Sequence, residues 1–375
     1  MKRMEDFMNQ KPINIFVMTH CPFPCPQDPV YIPVQVGHAL HDDLGYTGDD
    51  SGDNISVKNP YYSELTGLYW SARNVHDADY MGLCHYRRFF LSENGSLMTQ
   101  QDFLDIFKTH DIILQKATRY PTSYQKVYEE AHNLRDLLLT GEAIQRLFPD
   151  YYPYFEEALA SDLVYCGNLF VTDSARYKAY TDWLFTIFDD IEDQIDPEMY
   201  DDYHKRVFGF LSEQLLSVWV KKNGLSIYEA NVGITQVKSE TEALKSVLKG
   251  LVSTGTLEGV RQALEQFRSA LRSRPDLLLP ASDLDGELAD MFRVLHVLEL
   301  ELESDAYKSN PKNCMFFVTT DLSLLVKHFR LITSILFHIE GNTASPEELA
   351  YYRDANVSES LLLTIAGIYP KLRTK

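Results

Sequence analysis

Two adjacent arginines, Arg87 and Arg88, close the string Gly82-Leu83-Cys84-His85-Tyr86-Arg87-Arg88 directly behind a short apolar run at residues 80–84. Guanidinium forks match phosphate oxygens in shape and charge, so a pair placed at a strand end suits the grip of a diphosphate. Alternation lets only one of the two point directly inward. A surface salt bridge for each arginine is the competing reading. Thr19 and His20 hold the equivalent place behind an earlier apolar run, residues 13–18. Both places matter because open α/β sheets bind ligands at the carboxyl ends of their strands.

A carboxylate, Glu213, interrupts the apolar stretch Phe208-Gly209-Phe210-Leu211-Ser212-Glu213-Gln214-Leu215-Leu216. Burial raises a carboxyl pKa, and a raised pKa suits a general base; the alternative is an acid that merely favours the positive end of a helix. His132 and Asp136, four apart, share one face if a single helix carries both, either as functional groups or as a structural hydrogen bond. The acidic loop Asp49-Asp50-Ser51-Gly52-Asp53-Asn54 lacks the later glutamate of an EF-hand, which leaves a solvated turn or a loop that touches ribose hydroxyls. Asp77-Ala78-Asp79 has the spelling of a metal-binding Asp-x-Asp pair but precedes its strand, which argues for a turn. Cys21 and Cys25 enclose two prolines and have no second Cys/His pair, so they read as a rigid loop. Neither a Walker-type phosphate loop nor a Gly-x-Ser-x-Gly nucleophile elbow occurs.

The elements that must position these residues are short β-forming runs at 13–18, 80–84, 111–114 and 163–172, the last with Gly167-Asn168 in its middle. Helical patterns at 61–74, 98–110, 140–148, 175–195 and 208–222 alternate with them, and Glu64 lies among aromatics in the first. Such alternation predicts an α/β domain with a largely parallel sheet. Beyond residue 235 the period becomes helical, at 240–251, 257–272, 285–303 and 322–339, punctuated by Pro275, Pro280, Pro311 and Pro346. The expected organisation is one α/β domain over residues 12–235 and a mostly helical C-terminal unit over 236–375, the latter with a docking or scaffolding role.

The 375 residues are 45% hydrophobic and 24% charged, the composition of a globular chain. A net charge of -19 opposes broad contact with nucleic acid or anionic lipid, yet a negative whole can still hold a positive pocket. Residues 1–11 are polar and lack the apolar core of a signal peptide, and no later run is expected to reach the roughly 20 apolar residues of a membrane span. Five cysteines, Cys21, Cys25, Cys84, Cys166 and Cys314, are an odd number and read as reduced thiols. The expectation is a soluble cytoplasmic chain.

Taken in order, Ile15-Phe16-Val17-Met18-Thr19-His20, Tyr31-Ile32-Pro33-Val34-Gln35-Val36-Gly37, Gly52-Asp53-Asn54-Ile55-Ser56, Glu64-Leu65-Thr66-Gly67-Leu68-Tyr69-Trp70, Tyr80 to Phe90, Tyr165-Cys166-Gly167-Asn168-Leu169-Phe170 and Arg206 to Glu213 form a series. The series resembles a bacterial family of capsular and exopolysaccharide gene clusters, long catalogued as a domain of unknown function, some of whose members are described as galactofuranosyltransferases. The resemblance covers about residues 12–235 and not the C-terminal unit. It implies a GT-A-like fold that binds a nucleotide-sugar and transfers a hexosyl unit to a glycan or lipid-linked acceptor. His85-Tyr86-Arg87-Arg88 would then stand where an acidic metal-binding pair usually lies. The implied enzyme has no metal and no cofactor beyond a uridine diphosphate sugar as donor substrate.

On this reading Glu213 and His85 are the expected catalytic groups. Thr19, His20, Asp53, Asn54, Glu64, Tyr86, Arg87 and Arg88 are expected at the donor, and His132, Asp136, Gly167 and Asn168 at the acceptor. Nucleic acid is not expected as a partner, while peripheral association with membrane-bound assembly machinery is. A non-catalytic scaffold or glycan-binding module of a polysaccharide assembly complex is the alternative from another class.

Overall fold

A computed structural model describes residues 13–278, 282–310, 315, 319–355 and 357–372. The polar segment 1–11, Pro280, Pro311 and Cys314 lie outside the described residues. The chain divides into two compact units between Thr235 and Gln236.

The first unit is built on an eight-stranded sheet. Strand β1 (Ile13–Thr19) has parallel neighbours on both sides, β2 (Tyr31–Gln35) and β4 (Tyr80–His85), with β3 (Thr47–Gly48) parallel beyond β2. β1 is apolar almost throughout because both faces of the sheet are covered: Phe16 and Met18 enter one core, Ile15 and Val17 the other.

Past β4 the sheet becomes mixed, which corrects the largely parallel expectation. Only Tyr86 and Arg87 separate β4 from β5 (Arg88–Leu91), and so short a link can join only antiparallel strands. Next in the chain come β6 (Ile112–Gln115), a short ribbon of β7 (Thr118–Arg119) and β8 (Leu163–Val164), then β9 (Phe170–Asp173) and β10 (Ile227–Ile234). β9 runs antiparallel to both β4 and β6. β10 changes partner along its length: Ile227–Ala230 lies parallel to β6, and Asn231–Ile234 antiparallel to β5.

Helices α1 (Asn59–Tyr62), α2 (Leu65–Asn74), α3 (Gln100–Ile106), α4 (Tyr124–Ala131), α5 (Leu134–Leu147), α6 (Tyr152–Ala160), α7 (Ser174–Ile191) and α8 (Val207–Lys222) complete this unit. Three breaks alter the sequence reading. The helix expected at 61–74 is cut at Ser63, whose φ of 51° ends α1 and leaves Glu64 at the N-terminus of α2. The strand expected at 163–172 is split by Gly167 and Asn168, with φ of 80° and 54°; left-handed backbone cannot continue a strand. His132 ends α4 and Asn133 caps α5 by accepting from the Arg135 N–H, so His132 and Asp136 belong to different helices.

The second unit consists of α9 (Ser239–Val252), α10 (Leu257–Ser273), α11 (Glu287–Glu303), α12 (Asp305–Ser309), α13 (Leu322–Glu340), α14 (Pro346–Asp354) and α15 (Glu359–Ile368) around its own apolar core. α13 is long and apolar enough to cross a membrane by length and composition, contrary to the expectation that no run reaches that limit. Half of that window is buried, and Leu325, Phe329, Ile332 and Leu336 put one face into the unit's core. Cys21, Cys25, Cys84 and Cys166 are free thiols.

Candidate active site

The turn Gly167-Asn168 organises the candidate site. His85, the last residue of β4, donates from Nε2 to the Gly167 carbonyl at 2.7 Å. Burial pushes its pKa down, with the nearby Arg88 and Arg87 charges acting in the same direction against Glu64 and the Gly167 carbonyl. A neutral ring whose Nε2 carries the proton keeps only Nδ1 as a proton acceptor.

Arg88 faces His85 across the β4–β5 hairpin, and its guanidinium lies against Gly167 of the same turn. A Cβ built on Gly167 overlaps Arg88 Nη1, so the left-handed glycine both makes the turn and leaves room for the arginine. Gly167→Ala is expected to destabilise the fold by about 1–2 kcal/mol from the left-handed backbone alone, and to displace Arg88. Thermal melting checks the first effect and donor affinity the second; an unchanged melt with unchanged affinity contradicts both.

Two carboxylates flank the turn. Glu64, at the start of α2, accepts from Asn168 Nδ2 at 2.7 Å, and the same amide donates to Ser212 Oγ at 2.8 Å. Ser212 passes its own hydrogen to the Gly209 carbonyl, which sets the orientation of the Asn168 amide. Asn168 is thus buried and held to Glu64 and α8, and its Oδ1 has no partner among the described residues. Glu213 follows Ser212 on α8 and is half-buried. Burial and then the Glu64 charge push its carboxyl up to about 7, opposed by Arg88, the Gly167 N–H and Arg206. A carboxylate with a pKa near neutrality, within the field of a guanidinium, is equipped to take a proton from a hydroxyl.

The other expected donor residues divide into two groups. His20 is exposed and meets Tyr86 edge to face at 5.3 Å, while the Arg87 guanidinium lies over the Tyr86 ring at 5.4 Å. These three gather beside the hairpin. Thr19 is buried, and its hydroxyl donates to the Cys21 carbonyl and accepts the Cys21 N–H, shaping the turn rather than facing a ligand. Asn54 donates to the Asp50 and Gly52 carbonyls, and Asp49 is buried against the Gly37 and His38 N–H groups and the Ser56 hydroxyl. The acidic loop is therefore an anchored turn. Asp53, exposed upon it, accepts from the Tyr69 hydroxyl at 3.1 Å.

His132 and Asp136 line one cavity of about 400 Å³, which Tyr200, His204 and Phe210 also line. His132 stacks on Phe210 at 4.2 Å, and Asp136 accepts from the Tyr200 hydroxyl at 2.9 and 3.0 Å. The sequence reading missed Tyr200, His204 and Arg206. They lie in the segment ahead of α8, where no helical or strand period draws attention, though Asp201-Asp202-Tyr203-His204-Lys205-Arg206 is dense in reactive side chains. Among the described residues no group of three or more His, Cys, Asp or Glu side chains is placed to hold a metal ion.

The profile of a family described as a domain of unknown function (DUF4422) matches residues 14–224, which include every candidate site residue from Thr19 to Glu213. The apo structure of the bifunctional glycosyltransferase WbbM is similar to this chain, with a TM-score of 0.54 and 28% identity. That similarity covers 60% of this chain and 45% of the WbbM chain, so the match spans less than half of that protein. No curated protein compared with the chain matches it.

Proposed function

The chain belongs to the DUF4422 family, and from that premise we propose that it is a glycosyltransferase of GT-A-like fold. It moves a hexosyl unit, galactofuranosyl first among the candidates, from a uridine diphosphate sugar to a glycan or lipid-linked acceptor in surface polysaccharide synthesis. The likeness to WbbM supports a glycosyltransferase-like activity. The observation that carries the reading is the gathering of Glu213, its pKa raised to about 7, and Arg88, whose charge acts on it, beside the Gly167 turn.

In the proposed reaction Glu213 removes the proton of an acceptor hydroxyl, and the resulting oxygen attacks the anomeric carbon. The bond from that carbon to the diphosphate breaks with inversion, and the leaving group departs with the bonding electrons. Arg88 and Arg87 neutralise the charge that builds on it. His85 orients the turn through the Gly167 carbonyl, and Glu64 keeps the proton affinity of Glu213 high. We place the reaction in the cytoplasm, at the inner face of the membrane where a lipid-linked acceptor resides.

With guanidinium groups in place of a divalent cation, chelator is expected to leave turnover within about twofold of its starting value, because positioned charge of either kind stabilises the leaving group. Strict dependence on manganese or magnesium would move the diphosphate site to the acidic residues at 49–53 or 77–79. A thermal-shift screen over nucleotide-sugars tests the proposal itself, since a ligand of the native state raises the melting temperature. A shift with uridine diphosphate hexoses supports it. No shift with any nucleotide-sugar favours the non-catalytic glycan-binding reading.

A further inference from the structure

The cavity between α4, α5 and the segment ahead of α8 has a charge pattern opposite to that of the arginine hairpin. Three carboxylates, Glu130, Asp136 and Asp201, line it, and its described lining residues include no Lys or Arg. A phosphate or uronate ligand would meet like charge there, and like charges brought together oppose binding strongly.

Asp136 adds a second observation. It is only 1% exposed, and its two oxygens share one hydrogen, that of Tyr200, whose hydroxyl oxygen accepts in turn from Asn133 Nδ2 at 2.8 Å. An ionised carboxylate offers about four acceptor sites, so Asp136 keeps acceptor capacity that the described residues leave unfilled, at the wall of a cavity. Burial raises its pKa against the Tyr200 hydrogen bond, as expected of a carboxyl short of donors. Val207 and Phe210 add apolar lining, and Phe210 is stiffened by its stack on His132. The cations near the cavity, Arg206 over the Phe210 ring and Arg135 acting on Asp136, are not among its lining residues.

We propose that this cavity is the acceptor subsite and that it selects an uncharged sugar ring with free hydroxyls over an anionic one. Asp136 receives a ring hydroxyl while Phe210 and Val207 cover the C–H face. The word acceptor rests on the transferase reading above; sugar binding rests on the cavity alone. Its volume lies within the roughly 300–1,000 Å³ of small-molecule sites.

The test uses the full chain and saturation-transfer NMR with methyl β-galactopyranoside, methyl β-glucopyranoside and methyl β-glucuronide, with uridine diphosphate binding measured beside them. The neutral glycosides are expected to bind and the glucuronide not. Asp136→Asn is expected to weaken the neutral glycosides about tenfold or more, with uridine diphosphate binding retained. Should that variant fail to fold, Met199→Lys serves instead: Met199 is 79% exposed and lines the cavity, so a cation there is expected to bring glucuronide binding into the detectable range, and a glucuronide that still does not bind overturns the charge argument. Glucuronide binding equal to that of the neutral sugars, unchanged glycoside binding in folded Asp136→Asn, or no glycoside binding beside intact uridine diphosphate binding overturns the inference and leaves the transferase reading standing. Glycoside binding without uridine diphosphate binding does the reverse.

Discussion

Glu213→Gln is expected to lose about two to four orders of magnitude in turnover while still binding donor, because the amide keeps the shape of the side chain and removes its basicity. The wild-type rate should rise through about pH 7, where the carboxyl gives up its proton, and the residual rate of the variant should lack that step. Stability supplies an independent readout of the same group. The folded pKa of about 7 lies above the ordinary value of 4.5, so between those values the folded chain holds a proton that the unfolded chain has released. Stability therefore falls as pH rises across that window. A glutamine has no proton to lose, so Glu213→Gln should melt above the wild type at pH 8 and level with it near pH 4. A variant that turns over normally makes Glu213 structural, and one that loses donor binding with its fold intact gives the residue a different role.

Arg88→Ala is expected to cost about two to three orders of magnitude in kcat, the effect of removing one preorganised charge from a developing anion. The pH profile should change as well. Arg88 opposes protonation of Glu213, so its loss leaves the repulsion from Glu64 less balanced and moves the midpoint of the rate profile upward from about 7. Arg88→Lys keeps the charge without the fork and should recover the midpoint better than the rate. Arg87, lying over the Tyr86 ring, is expected to give a smaller loss as Arg87→Ala. Full activity in both alanine variants, with unaltered melting curves, removes the diphosphate clamp.

The pattern of side chains made part of this arrangement readable before the fold. β1 and β4 announce themselves as mostly apolar runs because each is covered on both faces. Glu213 stands out because nothing else near it in α8 is charged. Strand direction past β4 was not legible: β9 and β10 find their partners far along the chain, and no local period encodes whether such pairs run parallel or antiparallel. Gly167-Asn168 was visible as a pair, whereas its left-handed backbone, which brings Glu64, Arg88 and Glu213 around one turn, depends on packing from three elements. The spacing of His132 and Asp136 fits a single helix on paper; the Asn133 cap divides it, and the two side chains meet at one cavity by a different route. Tyr200 and His204 entered that cavity unannounced, from a segment without periodicity.

The central claim, hexosyl transfer with Glu213 as base, is tested most directly by mass spectrometry of a neutral galactoside acceptor incubated with the full chain, chelator and each uridine diphosphate hexose in turn. The account predicts that one donor adds a single hexose to the acceptor, with uridine diphosphate released in equal amount, and that Glu213→Gln reduces this product at least a hundredfold or so. A chain that binds both ligands yet adds no hexose from any donor, or a Glu213→Gln variant that adds it at the wild-type rate, would contradict it.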